Sequence, residues 1–174
     1  QYQEMVDEGR CAAYTIEVSG TILRLVNVYG YTGGHTNEEA KMATDHLIGT
    51  VLEELETQPD LPTLILGDIS ADPEDIPVLA EIIEQEGWTD CGAMAHIWGG
   101  IPNQATCRAP NARKATRRDY ILVCPELLPM VTQVAVEAND DFDVHWPLKV
   151  SLNWGHTAVQ KHKYRKTTSA AALF

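Results

Sequence analysis

The chain has 174 residues, 44 % hydrophobic and 22 % charged, which suits one globular domain with a sizeable core. Its formal charge of −12 argues against indiscriminate coating of nucleic acid, but the excess is uneven: after Trp154 come Lys161, Lys163, Arg165 and Lys166 with no acid at all. Four cysteines without a CxxC pair, no apolar run near the ~20 residues that cross a bilayer and no basic-then-apolar leader pattern predict reduced thiols in an intracellular protein away from membranes.

In chain order, residues 11–18 and 21–29 read as two strands joined by the turn pair Ser19-Gly20, a hairpin. In the second arm Ile22, Val26 and Val28 alternate with Leu23, Leu25 and Tyr29, which predicts a strand covered on both faces. Asn37 can cap a helix whose first turn holds Glu38 and Glu39, and Ala40, Ala43, Leu47, Ile48, Val51, Leu52 and Leu55 form its apolar stripe. Asp45, His46, Glu53, Glu54 and Glu56 read as the solvated side of that helix.

Residues 63–66 are a short apolar run between Pro62 and Gly67, too short for a stable helix, and predict a central strand delivering Asp68 at its carboxyl end. In open α/β sheets that end is where ligands bind, although Gly67-Asp68 alone also fits an Asx turn. Asp75 can cap a second helix with Pro77 in its first turn, Ile76, Leu79, Ala80 and Ile83 facing inward. Residues 88–104 read as a long surface loop.

Residues 106–118 gather Arg108, Arg113, Lys114, Arg117 and Arg118 around a Pro110-Asn111 turn. A positive loop on an acidic body is where a phosphate backbone would be held, and a solvated turn is the other reading. Asp119-Tyr120-Ile121-Leu122-Val123 is a buried strand with its acid first, residues 131–136 form another, and an acidic loop through Asp143 and His145 runs into a last strand ending near Leu152. Residues 154–174 have no periodicity and read as a basic flexible tail.

Three stretches stand in order: Gly67-Asp68-Ile69-Ser70, Arg118-Asp119-Tyr120-Ile121-Leu122 and Asp143-Val144-His145-Trp146-Pro147. Together with Asn27-Val28-Tyr29 they resemble the endonuclease/exonuclease/phosphatase superfamily, whose patterns are Gly-Asp-Phe-Asn, Arg-x-Asp-Tyr-Ile-Leu and Ser-Asp-His-x-Pro. Ala71-Asp72-Pro73-Glu74 and Arg117-Arg118-Asp119-Tyr120 look most like the endonuclease domain of non-long-terminal-repeat retrotransposons. The resemblance implies an α/β fold, a partial four-layer sandwich of two sheets and flanking helices, in a domain spanning residues 1–153 that lacks its amino-terminal third.

It further implies a Mg²⁺-dependent phosphodiesterase, with Mn²⁺ as a substitute, acting on nucleic acid and most of all duplex DNA, in the cell and there in the nucleus. Residue by residue, His145 matches the histidine held against the scissile phosphate, Asp119 the carboxylate that orients it, Asp68 the residue that positions or deprotonates water, and Tyr29 a phosphate-contacting tyrosine. Ser70 stands where the family has an amide donor, so a shorter hydroxyl takes its place. Val144 stands at a metal-binding carboxylate position, for which Asp143 would have to substitute through a bulge. With no counterpart of the family's metal-binding glutamate before Cys11, the chain alone is expected to be impaired. A catalytically dead nucleic-acid-binding relic of the same fold is the alternative. A serine hydrolase on Ser70 lacks the nucleophile elbow it would need.

Overall fold

The computed structural model describes residues 1–110, 112–139 and 141–154. Asn111 of the expected turn and the basic segment with Lys161, Lys163, Arg165 and Lys166 lie outside the described residues.

A short helix α1 (Tyr2–Asp7) leads into β1 (Cys11–Val18) and β2 (Thr21–Tyr29). Ser19 and Gly20 both adopt positive φ, 51° and 80°, the conformation a two-residue hairpin turn requires. The register follows from that turn: Val18 faces Thr21, and Cys11 faces Val28. Helix α2 (Glu38–Glu56) carries the chain back to β3 (Thr63–Asp68), which lies parallel to β2. The remaining regular elements are α3 (Pro77–Gln85), β4 (Thr89–Asp90), β5 (Asp119–Val123), β6 (Val131–Val136) and β7 (Leu148–Leu152). Five strands form one sheet in the order β1-β2-β3-β5-β4, with β5 antiparallel to β3, while β6 and β7 pair antiparallel in a second sheet.

Strand alternation divides the buried residues into two cores. Val26, Val28, Ile65, Tyr120 and Leu122 point to one face of the large sheet and meet Leu47, Ile48, Val51, Leu79 and Ile82 of the helices. Leu23, Leu64, Ile121 and Val123 point to the other face and meet Val131, Val134, Leu148 and Val150 of the small sheet. Each such side chain contributes about 1.5–3 kcal/mol by leaving water, so these two layers hold the fold together. The stripe expected on α2 buries Leu47, Ile48, Val51 and Leu55, and the Asn37 side chain accepts bonds from the amides of Glu39 and Ala40. Arg24, buried in mid-strand, fastens the far end of α2 by donating to the Leu55 and Gln58 carbonyls and to Thr63 Oγ1.

Three details depart from the sequence reading. The second hairpin arm is less covered than expected: Ile22 at its start and Tyr29 at its end are exposed, while Leu23, Val26 and Val28 between them are buried. Residues 88–104 are not all loop, since Thr89 and Asp90 pair with Val123 and Leu122 and bury Cys91 behind them. Helix α3 takes its cap from elsewhere in the fold. Asp75 instead pairs with Lys41 at 3.3 Å, and Asp45 of α2 accepts from the Val78 amide at 2.9 Å. Among the described residues no helix is long and apolar enough to cross a membrane.

Candidate active site

The site begins with a glycine. Gly67 has φ +141°, and a Cβ there would overlap the Val28 carbonyl oxygen, so only glycine lets β3 stay against β2 up to its last residue. Gly30 plays the matching part just past β2: a Cβ would overlap the Ile69 carbonyl, and its amide donates to the Asp68 carbonyl at 2.7 Å. The strand ends are therefore locked in register, with Tyr29 opposite Asp68 and Asp68 opposite Asp119. Paired residues share a face, and Leu66 and Ile121 point toward the small sheet, so Tyr29, Asp68 and Asp119 form a row across three strands on that same face.

His145 reaches this row from the loop before β7. Its backbone bridges to Cys107, and the neighbouring Trp146 amide donates to the Thr106 carbonyl at 2.7 Å. Its Nδ1 lies 2.9 and 3.2 Å from the two Asp119 oxygens, and its Nε2 lies 3.9 Å from Asp68 Oδ2. Asp119 is itself aimed by Thr106, a fully buried hydroxyl that accepts from the amides of Arg118 and Asp119. On the other side Asp68 Oδ1 accepts from both the amide and the hydroxyl of Ser70, at 2.8 and 2.9 Å. Ser70 holds that position with φ 57°, left-handed backbone that few non-glycine residues adopt. A cavity of about 270 Å³ opens beside His145, Asp119, Trp146 and Leu66. A larger one, about 530 Å³, opens at the other end of β3 around Arg24, Glu53, Glu81 and Trp88, away from the imidazole.

The basic loop runs alongside. The Arg108 amide donates to the Val144 carbonyl, and Arg108, Arg113 and Lys114 are exposed with no ion pair among the described residues. Arg118 is half-buried next to Asp119. Arg117 is placed differently: its guanidinium bonds Asp90 and Asn103 and lies over the Tyr120 ring, 4.3 Å from the centroid. The sequence reading passed over Thr106 and Asp90. Neither carried a signal, because each acts through a partner more than ten residues away.

For Mg²⁺ the residues present do not make a site. Among the described residues no three His, Cys, Asp or Glu side chains are arranged so as to hold a metal ion. Asp143 is exposed, both Asp119 oxygens face His145, and one Asp68 oxygen is taken by Ser70.

No protein-family model and no curated protein sequence matches the chain. Solved structures do. A 3′ phosphatase, NExo, from Neisseria, bound to a product DNA hairpin, superposes with a TM-score of 0.61 at 18 % identity over 82 % of this chain and 65 % of its own. An AP endonuclease from Archaeoglobus fulgidus gives 0.60 at 15 % identity over 81 % and 65 %, respectively. An endonuclease/exonuclease/phosphatase family protein from Leptotrichia buccalis gives 0.56 at 17 % over 83 % and 54 %. The fold is the one these proteins share. The chain spans less than two thirds of the length of each of them.

Proposed function

We propose that this chain belongs to a phosphodiester-cleaving hydrolase acting on nucleic acid, with duplex DNA as its substrate and a retroelement endonuclease as its origin. The observation that carries the reading is the His145 imidazole clamped by Asp119 on one nitrogen and facing Asp68 with the other. A carboxylate accepting from Nδ1–H fixes the orientation of the ring and leaves Nε2 directed outward, where the doubly protonated ring presents an N–H donor. The 3.9 Å between Nε2 and Asp68 Oδ2 is too long for a direct bond. An oxygen atom seated between them would be about 2.8 Å from each, an ordinary bonding distance.

In the reaction Asp68 takes a proton from water as the water oxygen bonds to phosphorus; the P–O ester bond breaks and the departing oxygen takes its proton from bulk water, to which Asp68 afterwards returns the one it holds. His145 donates to a phosphoryl oxygen as charge develops on it. Ser70, bonded to the unused Asp68 oxygen, keeps the other oxygen turned toward the water. Tyr29 stands next in the row, and Arg108, Arg113, Lys114 and Arg118 supply cations for the flanking backbone.

An aryl phosphodiester tests this with the least demand on leaving-group stabilisation. Wild type is expected to hydrolyse it, and His145→Ala and Asp68→Ala are each expected to lose about a hundredfold or more. Hydrolysis that survives both substitutions would remove the assignment. Ser70 at the position of the pattern's amide donor and Val144 at that of its carboxylate favour a second reading, a binding protein without turnover. Salt-dependent DNA binding with no hydrolysis under Mg²⁺ or Mn²⁺ would select it.

A further inference from the structure

The row Tyr29, Asp68, Asp119 has a fourth member that the sequence reading did not single out. The Tyr29 amide donates to the Arg10 carbonyl at 2.7 Å, so Arg10 extends the β1–β2 register by one place and sits opposite Tyr29. Neighbouring strands are about 4.8 Å apart, which puts the Arg10 backbone about 10 Å from Asp68 along the end of the sheet.

Its side chain is held but not neutralised. The guanidinium carbon lies 4.1 Å from the Tyr31 ring centroid and 5.3 Å from that of Tyr29, and Nη1 donates to the Gly30 carbonyl at 3.3 Å. Among the described residues Arg10 has no carboxylate partner. The other stacked or buried arginines differ on this point: Arg117 is tied to Asp90 and Asn103, and Arg24 spends its donors on three oxygens of the fold. A guanidinium has five N–H donors in a fixed fork, and Arg10 spends one of them within the fold. Stacking on two rings fixes the plane of that fork in advance, the arrangement suited to bidentate recognition of phosphate. A chain of charge −12, with two carboxylates already in the row, needs a cation at this end of the sheet to hold a polyanion there.

We infer that Arg10 binds a non-scissile phosphate of the substrate, one or two nucleotides from the cleaved bond, with the exposed Tyr29 ring beside it as a surface for the adjoining sugar or base. The inference rests on the nucleic-acid reading of the site. It assigns Arg10 to binding, not to bond cleavage.

The experiment is a fluorescence-anisotropy titration of a short duplex DNA by the full chain in EDTA, where no turnover competes, repeated over a series of NaCl concentrations. R10Q is expected to weaken binding about five- to tenfold at low salt and to reduce the slope of log affinity against log salt by about one. Its urea midpoint identifies a folded variant. Should R10Q not fold, R10K carries the test: the slope is retained and affinity falls as the planar fork is lost, and unchanged affinity overturns the assignment. If wild type binds DNA and R10Q keeps both its affinity and its slope, the role of Arg10 falls while the hydrolase reading stands on the aryl ester. If wild type binds no DNA at any salt concentration, both the Arg10 assignment and the nucleic-acid reading fall.

Discussion

At the scale of single residues the site is a set of short bonds, each with one owner. Asp119 serves His145, Thr106 serves Asp119, and Ser70 serves Asp68. Ser70 stands where the resembled pattern has an amide donor, and its geometry says what it does here: amide and hydroxyl both grip the same carboxylate oxygen. Ser70→Ala removes one of those two donors. The expected cost is about 1 kcal/mol in urea unfolding, with hydrolysis lowered about tenfold or less because the backbone bond remains. A loss as large as that of Asp68→Ala would show that the hydroxyl touches the substrate itself. Asp68, Asp119 and His145 were legible in the sequence because each sits in a short motif with a fixed relation to a strand. Arg10 was legible in principle, since the Ser19–Gly20 turn fixes which residues face one another and so sets Arg10 across from Tyr29. The attachment of Arg117 to Asp90 was not, because counting charge along a loop says nothing of a carboxylate 27 residues away.

At the scale of elements the same division recurs. Helix α2 and strand β3 could be read directly, one from an apolar stripe with an asparagine before it, the other from an apolar run stopped by glycine. Strand β4 could not: two residues make no period, and what makes them a strand is β5 lying next to them. The cap of α3 was hidden for a similar reason. Asp45 looked like part of a solvated acidic face, yet it bonds the Val78 amide across the gap between two helices. Asp45→Ala is therefore expected to destabilise by about 1 kcal/mol, the usual worth of a cap, and to leave hydrolysis and DNA binding unchanged. Gly67→Ala should behave otherwise. The added methyl meets the Val28 carbonyl at a φ that alanine avoids, so β2 and β3 must part at the end that carries Asp68. A loss of about 3 kcal/mol or more is expected, together with loss of activity, both measured on the same preparation. A Gly67→Ala protein of wild-type midpoint would mean that the strand ends are not locked by this contact.

At the scale of the whole molecule, burial has gathered proton-bearing groups and opposes their ionisation. Burial pushes the Cys91 thiol up to about 12, with Asp90 adding to the effect and Arg117 opposing it. The Cys11, Cys107 and Cys124 thiols and the Tyr120 hydroxyl are also raised, burial being the largest cause for each. All of these groups are neutral when protonated, and the folded chain keeps them so at a pH where the unfolded chain has begun to release its protons. From pH 9.0, the ordinary value for a thiol, the unfolded state binds fewer protons than the folded one, so stability falls as pH rises. Each proton so retained contributes a slope of about 1.4 kcal/mol per pH unit until its own group ionises in the folded state. The contribution of Cys91 is fully present below pH 9.0 and is lost over the interval up to about 12. Urea midpoints measured under reducing conditions at pH 8, 9, 10 and 11 should therefore decline for wild type. Cys91→Ala, which removes one such proton, should decline less steeply by up to that same increment over this interval. The decline persists in the variant because Tyr120 and Cys124 remain. Parallel lines for the two proteins would mean that Cys91 is as free to ionise in the folded chain as in the unfolded one, and that the layer behind β4 admits water.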